Sequence, residues 1–252
     1  MSDGAHALVT GGGSGIGLAI AAALAATGYR VTVTGRDARR LERACAELPG
    51  ALAVACDVTD ASSVAAALAT ARERSGPVAV LVNNAGVART AAFEKTDDAV
   101  WDEAWRTNVL GAVHLIRAVL PGMRTLPHGR IVNVASTAAL KGYAYVSAYA
   151  ASKHALLGLT RSLALELAET AITVNAVCPG YTDTAIVRDA VDTIVARTGR
   201  DRSAAEAVFT ATNPQRRLIA PDEVAATVLW LVADSARSIT GQAIAVAGGE
   251  VM

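Results

Sequence analysis

Tyr149 and Lys153 are the residues whose types and spacing first suggest chemistry in this sequence. They lie four positions apart in Tyr-Ala-Ala-Ser-Lys, so both side chains would occupy one face of a helix. A free phenol has a pKa near 10, and proton exchange near neutrality requires a decrease of about three units, roughly 4 kcal/mol in favour of the phenolate. A neighbouring ammonium shifts the pKa in that direction. The pair therefore predicts acid–base chemistry, although the same spacing also arises by chance on surface helices.

Two further polar residues favour the catalytic interpretation. Ser136 follows the predicted fifth strand in Asn-Val-Ala-Ser, and Asn108 lies in the long helix that precedes this strand. The carboxyl ends of parallel strands share one edge of a sheet, where ligands bind. The predicted catalytic residues are therefore Asn108, Ser136, Tyr149 and Lys153.

A glycine-rich segment at residues 10–17, Thr-Gly-Gly-Gly-Ser-Gly-Ile-Gly, links the predicted first strand to the first helix. Its spacing is GxxxGxG rather than the common GxGxxG. Gly11 would allow the tight turn, Gly15 a close approach to a pyrophosphate, and Gly17 close packing of the helix on the sheet. The helix N-terminus would offer free N–H groups to phosphates. The predicted phosphate-binding residues are Gly11, Gly13, Ser14, Gly15, Ile16 and Gly17.

The residues after the second strand indicate which dinucleotide is bound. Gly35 stands where an NAD site would carry an acidic residue for the ribose 2′-hydroxyl, and Arg36 follows it, which suits a 2′-phosphate. NADP(H) is therefore favoured over NAD(H). Arg36 could instead cap a surface helix, and the adjacent Asp37 weakens the signal. Asp57 could accept from the adenine amine or cap a helix. Further predicted cofactor contacts after strands three and four are Asp57, Val58, Asn84, Ala85 and Gly86.

Short apolar runs alternate with longer helical patterns along the chain. Strands are predicted at 5–10, 30–34, 51–56, 78–82, 130–135, 173–177 and 243–246, and helices near 15–28, 37–48, 60–75, 98–120, 148–169 and 221–233. Near-continuous apolar strands are typical of a parallel sheet covered on both faces. The pattern predicts a single-domain, doubly wound α/β fold over residues 1–252, with about seven parallel strands and helices on both faces.

The segment 182–217 is the irregular part of this pattern. It leaves from the predicted ligand-binding edge and has helical patches, so we predict a substrate lid, with a surface excursion as the alternative. Its arginines could meet a phosphorylated carrier. Residues 183–217 nevertheless carry six arginines and five acids, which favours a solvated, mixed surface.

Composition narrows the possible partners. The 252 residues are 52% hydrophobic and 18% charged, which excludes a disordered chain. Basic and acidic residues balance at 23 each, so the excess expected of a nucleic-acid-binding protein is missing. The three cysteines have no metal-site spacing, and a reducing compartment fits them. We expect a cytoplasmic protein with no metal, no signal peptide and no membrane partner.

Taken together, the motifs resemble those of the short-chain dehydrogenase/reductase family, in its branch of about 250 residues. The resemblance covers essentially the whole chain. It rests on the glycine turn, Asn-Asn-Ala-Gly at 83–86, Asn108, Ser136, Tyr149 with Lys153, Asn175, and Pro179-Gly180. It implies a Rossmann-like fold. The spacing of 13 residues from Ser136 to Tyr149 is similar to that of the family.

The resemblance also implies a role for each site residue. Tyr149 would protonate a substrate carbonyl, or deprotonate an alcohol in the reverse direction. Lys153 would lower the pKa of Tyr149 and bind the nicotinamide ribose, Ser136 would hold the carbonyl oxygen, and Asn108 would place a water that relays protons. Tyr149 and Lys153 would thus also bind cofactor. The further cofactor-binding residues that it implies are Pro179, Gly180, Thr182 and Thr184.

Other features depart from the family's pattern or leave alternatives open. Val246-Ala247-Gly248-Gly249 replaces the common Val-Asp-Gly-Gly, a change that could alter C-terminal packing. Tyr181 could line the pocket or pack under the lid. The resemblance implies a homotetramer, with a dimer as the alternative, formed through the helices near 98–120 and 148–169. The residues expected to form one pocket wall are Leu140, Tyr143, Tyr145 and Val146.

The sequence thus predicts an NADPH-dependent carbonyl reductase. Its closest resemblance within the family is to 3-oxoacyl and polyketide ketoreductases, which implies a small-molecule ketone substrate. One alternative is an NAD-dependent dehydrogenase of a 3-hydroxyacyl thioester or another secondary alcohol. The other is a cofactor-sensing protein without catalysis, which the complete set of four catalytic residues disfavours.

Overall fold

Residues 4–252 are described by the computed structural model of the protein, and they form a seven-stranded parallel sheet with helices on both faces. The strand order is β3-β2-β1-β4-β5-β6-β7. The strands are β1 (His6–Thr10), β2 (Arg30–Gly35), β3 (Leu52–Ala55), β4 (Val78–Asn83), β5 (Gly129–Val134), β6 (Ile172–Pro179) and β7 (Ala243–Val246). The order reverses at β1 and β4, which is where a doubly wound sheet opens a crevice for a ligand.

Helices follow the strands in alternation. They are α1 (Gly15–Ala26), α2 (Ala38–Ala46), α3 (Ala61–Ser75), α4 (Asp98–Trp105), α5 (Gly111–Met123), α6 (Ser147–Glu166), α7 (Ala185–Thr198), α8 (Arg202–Thr210) and α9 (Pro221–Val232). The predicted doubly wound fold is confirmed. Along residues 4–252, no helix has both the length and the apolar character needed to cross a membrane.

Successive side chains of the central strands enter two different cores. Val9, Val82 and Val132 pack with α1 and α9 on one face, whereas Leu8 and Leu81 pack with α3 and α5 on the other. Neighbouring residues of a strand point to opposite faces, so burial of both requires helices on each side. This explains why the strands are apolar throughout.

Two element boundaries differ from the prediction in ways that matter for the site. Strand β6 extends to Pro179, because Pro179 pairs with Val246 of β7. The single helix predicted near 98–120 is α4 and α5, joined by a wide π-turn at Arg106–Leu110. Asn108 lies in this turn. Such turns inside α-helices are frequent at functional sites.

Candidate active site

The glycine turn between β1 and α1 is held against its neighbours at backbone distance. Gly11 has a φ of +65° and donates its N–H to the Thr34 carbonyl at 2.7 Å. A Cβ on Gly17 would lie 2.4 Å from the Gly11 carbonyl oxygen, and one on Gly15 would lie 3.2 Å from Thr184 Cγ2. A side chain at Gly17 would push the turn away from α1, and one at Gly15 would occupy the space beside Thr184. The turn therefore fits a phosphate-bearing group laid across its backbone.

Asn84 ties the end of β4 to this turn. Its Nδ2 donates to the Thr10 carbonyl at 2.9 Å and to the Gly11 carbonyl at 3.3 Å. The Thr10 hydroxyl in turn accepts the N–H groups of Asn84 and Ala85. A Cβ on Gly86 would approach Asn108 Oδ1 to 3.1 Å and Lys153 Nζ to 3.5 Å. Small residues here keep the path from the glycine turn to the catalytic residues open.

Helix α6 positions Tyr149 and Lys153 one turn apart, as their spacing predicts. The Lys153 ammonium is buried, lies 5.7 Å from the centroid of the Tyr149 ring and donates to the Val134 carbonyl at 2.8 Å. The Ser136 side chain, just beyond β5, lies beside Tyr149 and lines the same cavity. The three side chains predicted to act together are thus brought together.

The pKa of Tyr149 differs from the prediction. Burial raises it above the ordinary value for a tyrosine, and the neighbouring Ser136 hydroxyl only partly opposes this. Burial also lowers the pKa of Lys153 to about 8, because removing an ammonium from water disfavours its charged form. A pattern of residue types could not predict this outcome, because desolvation depends on what surrounds the pair in space.

Asn108 supports the site from behind. Its Oδ1 accepts from the Val87 N–H at 2.8 Å, and its Nδ2 donates to the Val87 carbonyl and to the Ser152 hydroxyl. The Ser152 hydroxyl donates to the Tyr149 carbonyl at 2.7 Å. Both N–H donors of the Asn108 side chain are therefore used to fix the loop after β4 against α6. The water relay that the resemblance assigns to Asn108 stays a prediction.

The end of β2 carries more charge than the sequence analysis recognised. Arg36, Asp37 and Arg40 all line the ligand cavity. Asp37 caps α2 by accepting from the Arg40 N–H at 3.0 Å, and Arg40 Nε lies 3.7 Å from its carboxylate. Arg40 is not among the predicted cofactor-binding residues, although a cation one helical turn after Asp37 could have indicated it. Asp57 is engaged by the N–H and hydroxyl of Thr59, hydrogen bonds that hold its pKa below the ordinary value.

One cavity of about 880 Å³ runs from the glycine turn to Tyr149. Most of the predicted site residues line it, and Asn108 lies behind it. The lining residues among those predicted are Gly11, Gly13, Ser14, Gly15, Ile16, Gly17, Arg36, Asp57, Val58, Asn84, Ala85, Gly86, Ser136, Tyr149, Lys153, Pro179, Gly180, Thr182 and Thr184. Its volume, its glycine turn and the arginines after β2 fit a dinucleotide.

The predicted pocket wall is correct for only two of its four residues. Tyr143 and Val146 line the cavity. Leu140 packs against the apolar cluster under α6 instead, and Tyr145 is 63% exposed with a φ of +66°. Which side chains of a short loop face a cavity cannot be predicted from sequence, because they follow no regular period.

The segment 182–217 contributes α7 and α8 to the cavity. Ile186, Val187 and Ala190 line it from α7, and Phe209 lines it from α8. Arg188 pairs with Asp183, and Arg202 with Asp192. These ion pairs agree with the mixed, solvated surface that the charge count favoured. Among residues 4–252, groups of three or more His, Cys, Asp or Glu that could hold a metal ion do not occur.

Comparison with known proteins identifies the family. The model of the family described as short chain dehydrogenase matches residues 5–194. The chain is 41% identical to the "Granaticin polyketide synthase putative ketoacyl reductase 1" of Streptomyces violaceoruber, covering 96% of this chain and 92% of that protein. It is 37% identical to a D-beta-hydroxybutyrate dehydrogenase of Cupriavidus necator, and the match covers 100% of this chain and 99% of that protein.

A solved structure agrees in three dimensions. A single-residue variant of the actinorhodin polyketide ketoreductase, crystallised with NADPH, superposes with a TM-score of 0.93 at 38% identity, covering 99% of both chains. The chain belongs to the short-chain dehydrogenase family. It is an NAD(P)-dependent oxidoreductase acting on carbonyl or alcohol carbon.

Proposed function

We propose that the protein is an NADPH-dependent ketoreductase whose substrate is a 3-oxoacyl thioester or a polyketide-like ketone. The observation that carries this proposal is the continuous cavity that joins the glycine turn to Ser136, Tyr149 and Lys153. A ketone beside the Ser136 and Tyr149 hydroxyls would lie next to the nicotinamide end of a dinucleotide held by the turn. The resemblance to a ketoacyl reductase and a polyketide ketoreductase supports the substrate class.

When bound, the nicotinamide supplies the hydride, and the protein supplies position and electrostatics. The raised pKa of Tyr149 keeps its hydroxyl protonated at neutral pH, as an acid for reduction must be. Tyr149 would donate this proton to the carbonyl oxygen while Ser136 donates a hydrogen bond to the same oxygen. The Lys153 ammonium, 5.7 Å from the ring centroid, would stabilise the phenolate that forms.

The choice of NADPH rests on the charges beyond β2. Two guanidinium groups, Arg36 and Arg40, line the ribose end of the cavity, while the Asp37 carboxylate is engaged at the start of α2. A guanidinium group suits a 2′-phosphate by charge and by hydrogen-bond geometry. The NADPH held by the actinorhodin ketoreductase supports the same choice.

A second candidate is the oxidative direction, an NAD-dependent dehydrogenase of a 3-hydroxyacyl or similar secondary alcohol. Asp37 favours it, because the carboxylate also lines the cavity where a ribose 2′-hydroxyl would lie. The similarity to a D-beta-hydroxybutyrate dehydrogenase supports it further. Relative rates with the two cofactors separate the candidates.

Two structural roles belong to the same proposal. Residues 182–217 would act as a lid, because α7 and α8 supply apolar side chains to one side of the cavity. Assembly into a homotetramer would use α4, α5 and α6. The exposed side chains of Trp105 on α4, Leu110 in the π-turn and Leu165 on α6 support this arrangement.

The test is the initial rate of NADPH consumption with acetoacetyl-CoA, with NADH measured in parallel. We expect NADPH to be preferred, and Tyr149→Phe to lower kcat by about 10²–10⁴-fold, the usual contribution of a general acid. Its affinity for NADPH should stay within about twofold, since the cofactor site keeps its other contacts. Tyr145→Phe is the matched control, because the Tyr145 side chain is exposed and does not line the cavity.

Substantial residual turnover in Tyr149→Phe would remove Tyr149 from the role of acid. Faster oxidation of 3-hydroxybutyryl-CoA with NAD⁺ than reduction of acetoacetyl-CoA with NADPH would favour the second candidate. Binding of NADPH without turnover of acetoacetyl-CoA would contradict the thioester substrate and direct the search to bulky ketones.

A further inference from the structure

The Glu250 carboxylate is buried behind one wall of the cavity, near the C-terminal end of the chain. Its side chain is 2% exposed. Oε1 accepts a hydrogen bond from the Tyr143 hydroxyl at 2.6 Å and lies 3.1 Å from the Lys141 ammonium. Burial alone would raise the pKa of Glu250, but hydrogen bonds from Tyr143, Thr212 and Lys141 hold it below the ordinary value. The group is therefore a carboxylate, not a neutral acid, at neutral pH.

This carboxylate joins separate parts of the chain. Lys141 and Tyr143 belong to the loop after β5, and Thr212 follows α8. A Cβ on Gly180, just beyond β6, would lie 3.2 Å from Oε2. Glu250 thus links the loop, the α8 segment and the end of the sheet at one buried point.

Tyr143 carries this linkage into the cavity. Its hydroxyl donates to Glu250 and is bonded at 2.7 Å to the hydroxyl of Thr137, the residue after Ser136. Its ring lies edge-to-face on Tyr181, with centroids 6.5 Å apart, and Tyr181 lies edge-to-face on Phe209 at 5.2 Å. All three rings line the cavity, and we refer to Tyr143, Tyr181 and Phe209 as the aromatic wall.

We propose that Glu250 is a positioning residue that determines substrate size. By fixing Tyr143, it holds the aromatic wall in place, so that the cavity favours a slim acyl ketone over a bicyclic ketone. Glu250 is not among the residues that line the cavity, so it acts through Tyr143. This inference rests on the proposed function, because it assumes that the ketone occupies the space beside Ser136 and Tyr149.

The aromatic wall is anchored at a buried, paired carboxylate, so moving it outward costs free energy. Releasing the Tyr143 hydroxyl would leave the Glu250 charge buried with fewer partners, which is strongly unfavourable. A shift of the Tyr143 ring would also break its contact with Tyr181. A substrate that needs more width therefore has to displace the three rings and break the Tyr143–Glu250 hydrogen bond together.

The experiment compares kcat and KM for acetoacetyl-CoA and for the bicyclic ketone 1-decalone. We expect Glu250→Ala to raise KM for acetoacetyl-CoA about tenfold with kcat within about twofold, since the lost interaction is one of positioning. The kcat/KM ratio of decalone to acetoacetyl-CoA should rise about tenfold for the same reason. Glu250→Gln should be intermediate, because an amide oxygen still accepts from Tyr143 but no longer pairs with Lys141.

Two further variants isolate the route through Tyr143. In a Tyr143→Phe background, Glu250→Gln should change the ratio less than it does in the wild type, because the hydroxyl on which it acts is already gone. Glu223→Gln is the matched control. Glu223 also pairs with a basic residue, Arg217, but it lies at the start of α9 and is not among the cavity-lining residues. It should leave the ratio unchanged.

Three results would overturn the proposal. They are equal losses of kcat/KM for both ketones, full additivity of Glu250→Gln with Tyr143→Phe, and the same change of the ratio in Glu223→Gln. If the wild type reduces neither ketone, the proposed function fails instead. Hydrogen exchange then tests the linkage alone: Glu250→Ala should speed amide exchange in residues 137–146 and 207–213 about tenfold, as loss of local stabilisation does. Unchanged exchange there would overturn the role of Glu250 as well.

Discussion

Gly17→Ala is the most direct test of the glycine turn. The new Cβ would lie 2.4 Å from the Gly11 carbonyl oxygen and 2.5 Å from Asn84 Nδ2. Ordinary contacts begin near 3.4 Å, so the turn and α1 must separate by about 1 Å. Overpacking of this kind costs about 1–3 kcal/mol. The loss of a hydrogen bond between Asn84 and the turn adds about 0.5–1.5 kcal/mol.

The expected total is about 1.5–4.5 kcal/mol in the free energy of unfolding, which for a chain of this size lowers Tm by roughly 3–18 °C. The same displacement moves the backbone that would hold the pyrophosphate. A loss of only about 1.4 kcal/mol in binding free energy at this backbone raises the Kd for NADPH tenfold. Both quantities are measurable on one preparation, Tm by circular dichroism and Kd by the fluorescence of bound NADPH.

Gly122→Ala is the matched control for this experiment. It adds the same methyl group to a glycine of α5, where the nearest atom would be Pro77 Cβ at 3.6 Å. Replacing a helical glycine by alanine stabilises by about 0.5–1 kcal/mol, so Tm should rise slightly and NADPH affinity should not change. If Gly17→Ala melts within about 2 °C of the wild type and binds NADPH equally well, the steric account of the turn is refuted.

Two other predictions concern charge. Arg36→Ala and Arg40→Ala should each raise KM for NADPH at least about tenfold, because each loses one charge-assisted hydrogen bond. KM for NADH should change much less. Equal effects on both cofactors would mean that neither guanidinium contacts a 2′-phosphate. Burial lowers the pKa of His6, whose ring is bonded to the Gly76 carbonyl and the Thr32 hydroxyl. As the pH decreases, His6 therefore gains a proton in the unfolded state before it does so in the folded state. Its contribution to the free energy of unfolding is full above about pH 6.5 and is lost as the pH falls below that value. His6→Gln should flatten the dependence of Tm on pH between about pH 6.5 and 5, and an unchanged slope would exclude His6 as its cause.

Local residue patterns were sufficient for the fold and for much of the site. Alternating apolar strands and helices predict a doubly wound sheet, because each strand can be buried only if helices cover both faces. Topology then brings every strand end to one edge. The glycine turn, Ser136, Tyr149 and Lys153 could therefore be predicted to meet, although they are spread over more than half of the chain.

Tertiary structure decided the properties that depend on surroundings in space. The π-turn at Asn108 follows from its hydrogen bonds to Val87 and Ser152, contacts between distant segments. The pKa of Tyr149 is raised by burial, which no spacing encodes. Arg40 reaches the cavity only because α2 folds back over β2.

Glu250 shows the difference most clearly. In sequence it is one acidic residue two positions from the end of the chain, and the Gly248-Gly249 before it predicts no role for its side chain. In the folded protein its carboxylate contacts Lys141 and Tyr143, more than 100 residues away along the chain. Backbone periodicity and turn chemistry are local and can be read from sequence. The contacts that shape the substrate pocket are long-range side-chain contacts, and they exist only once the elements have packed together.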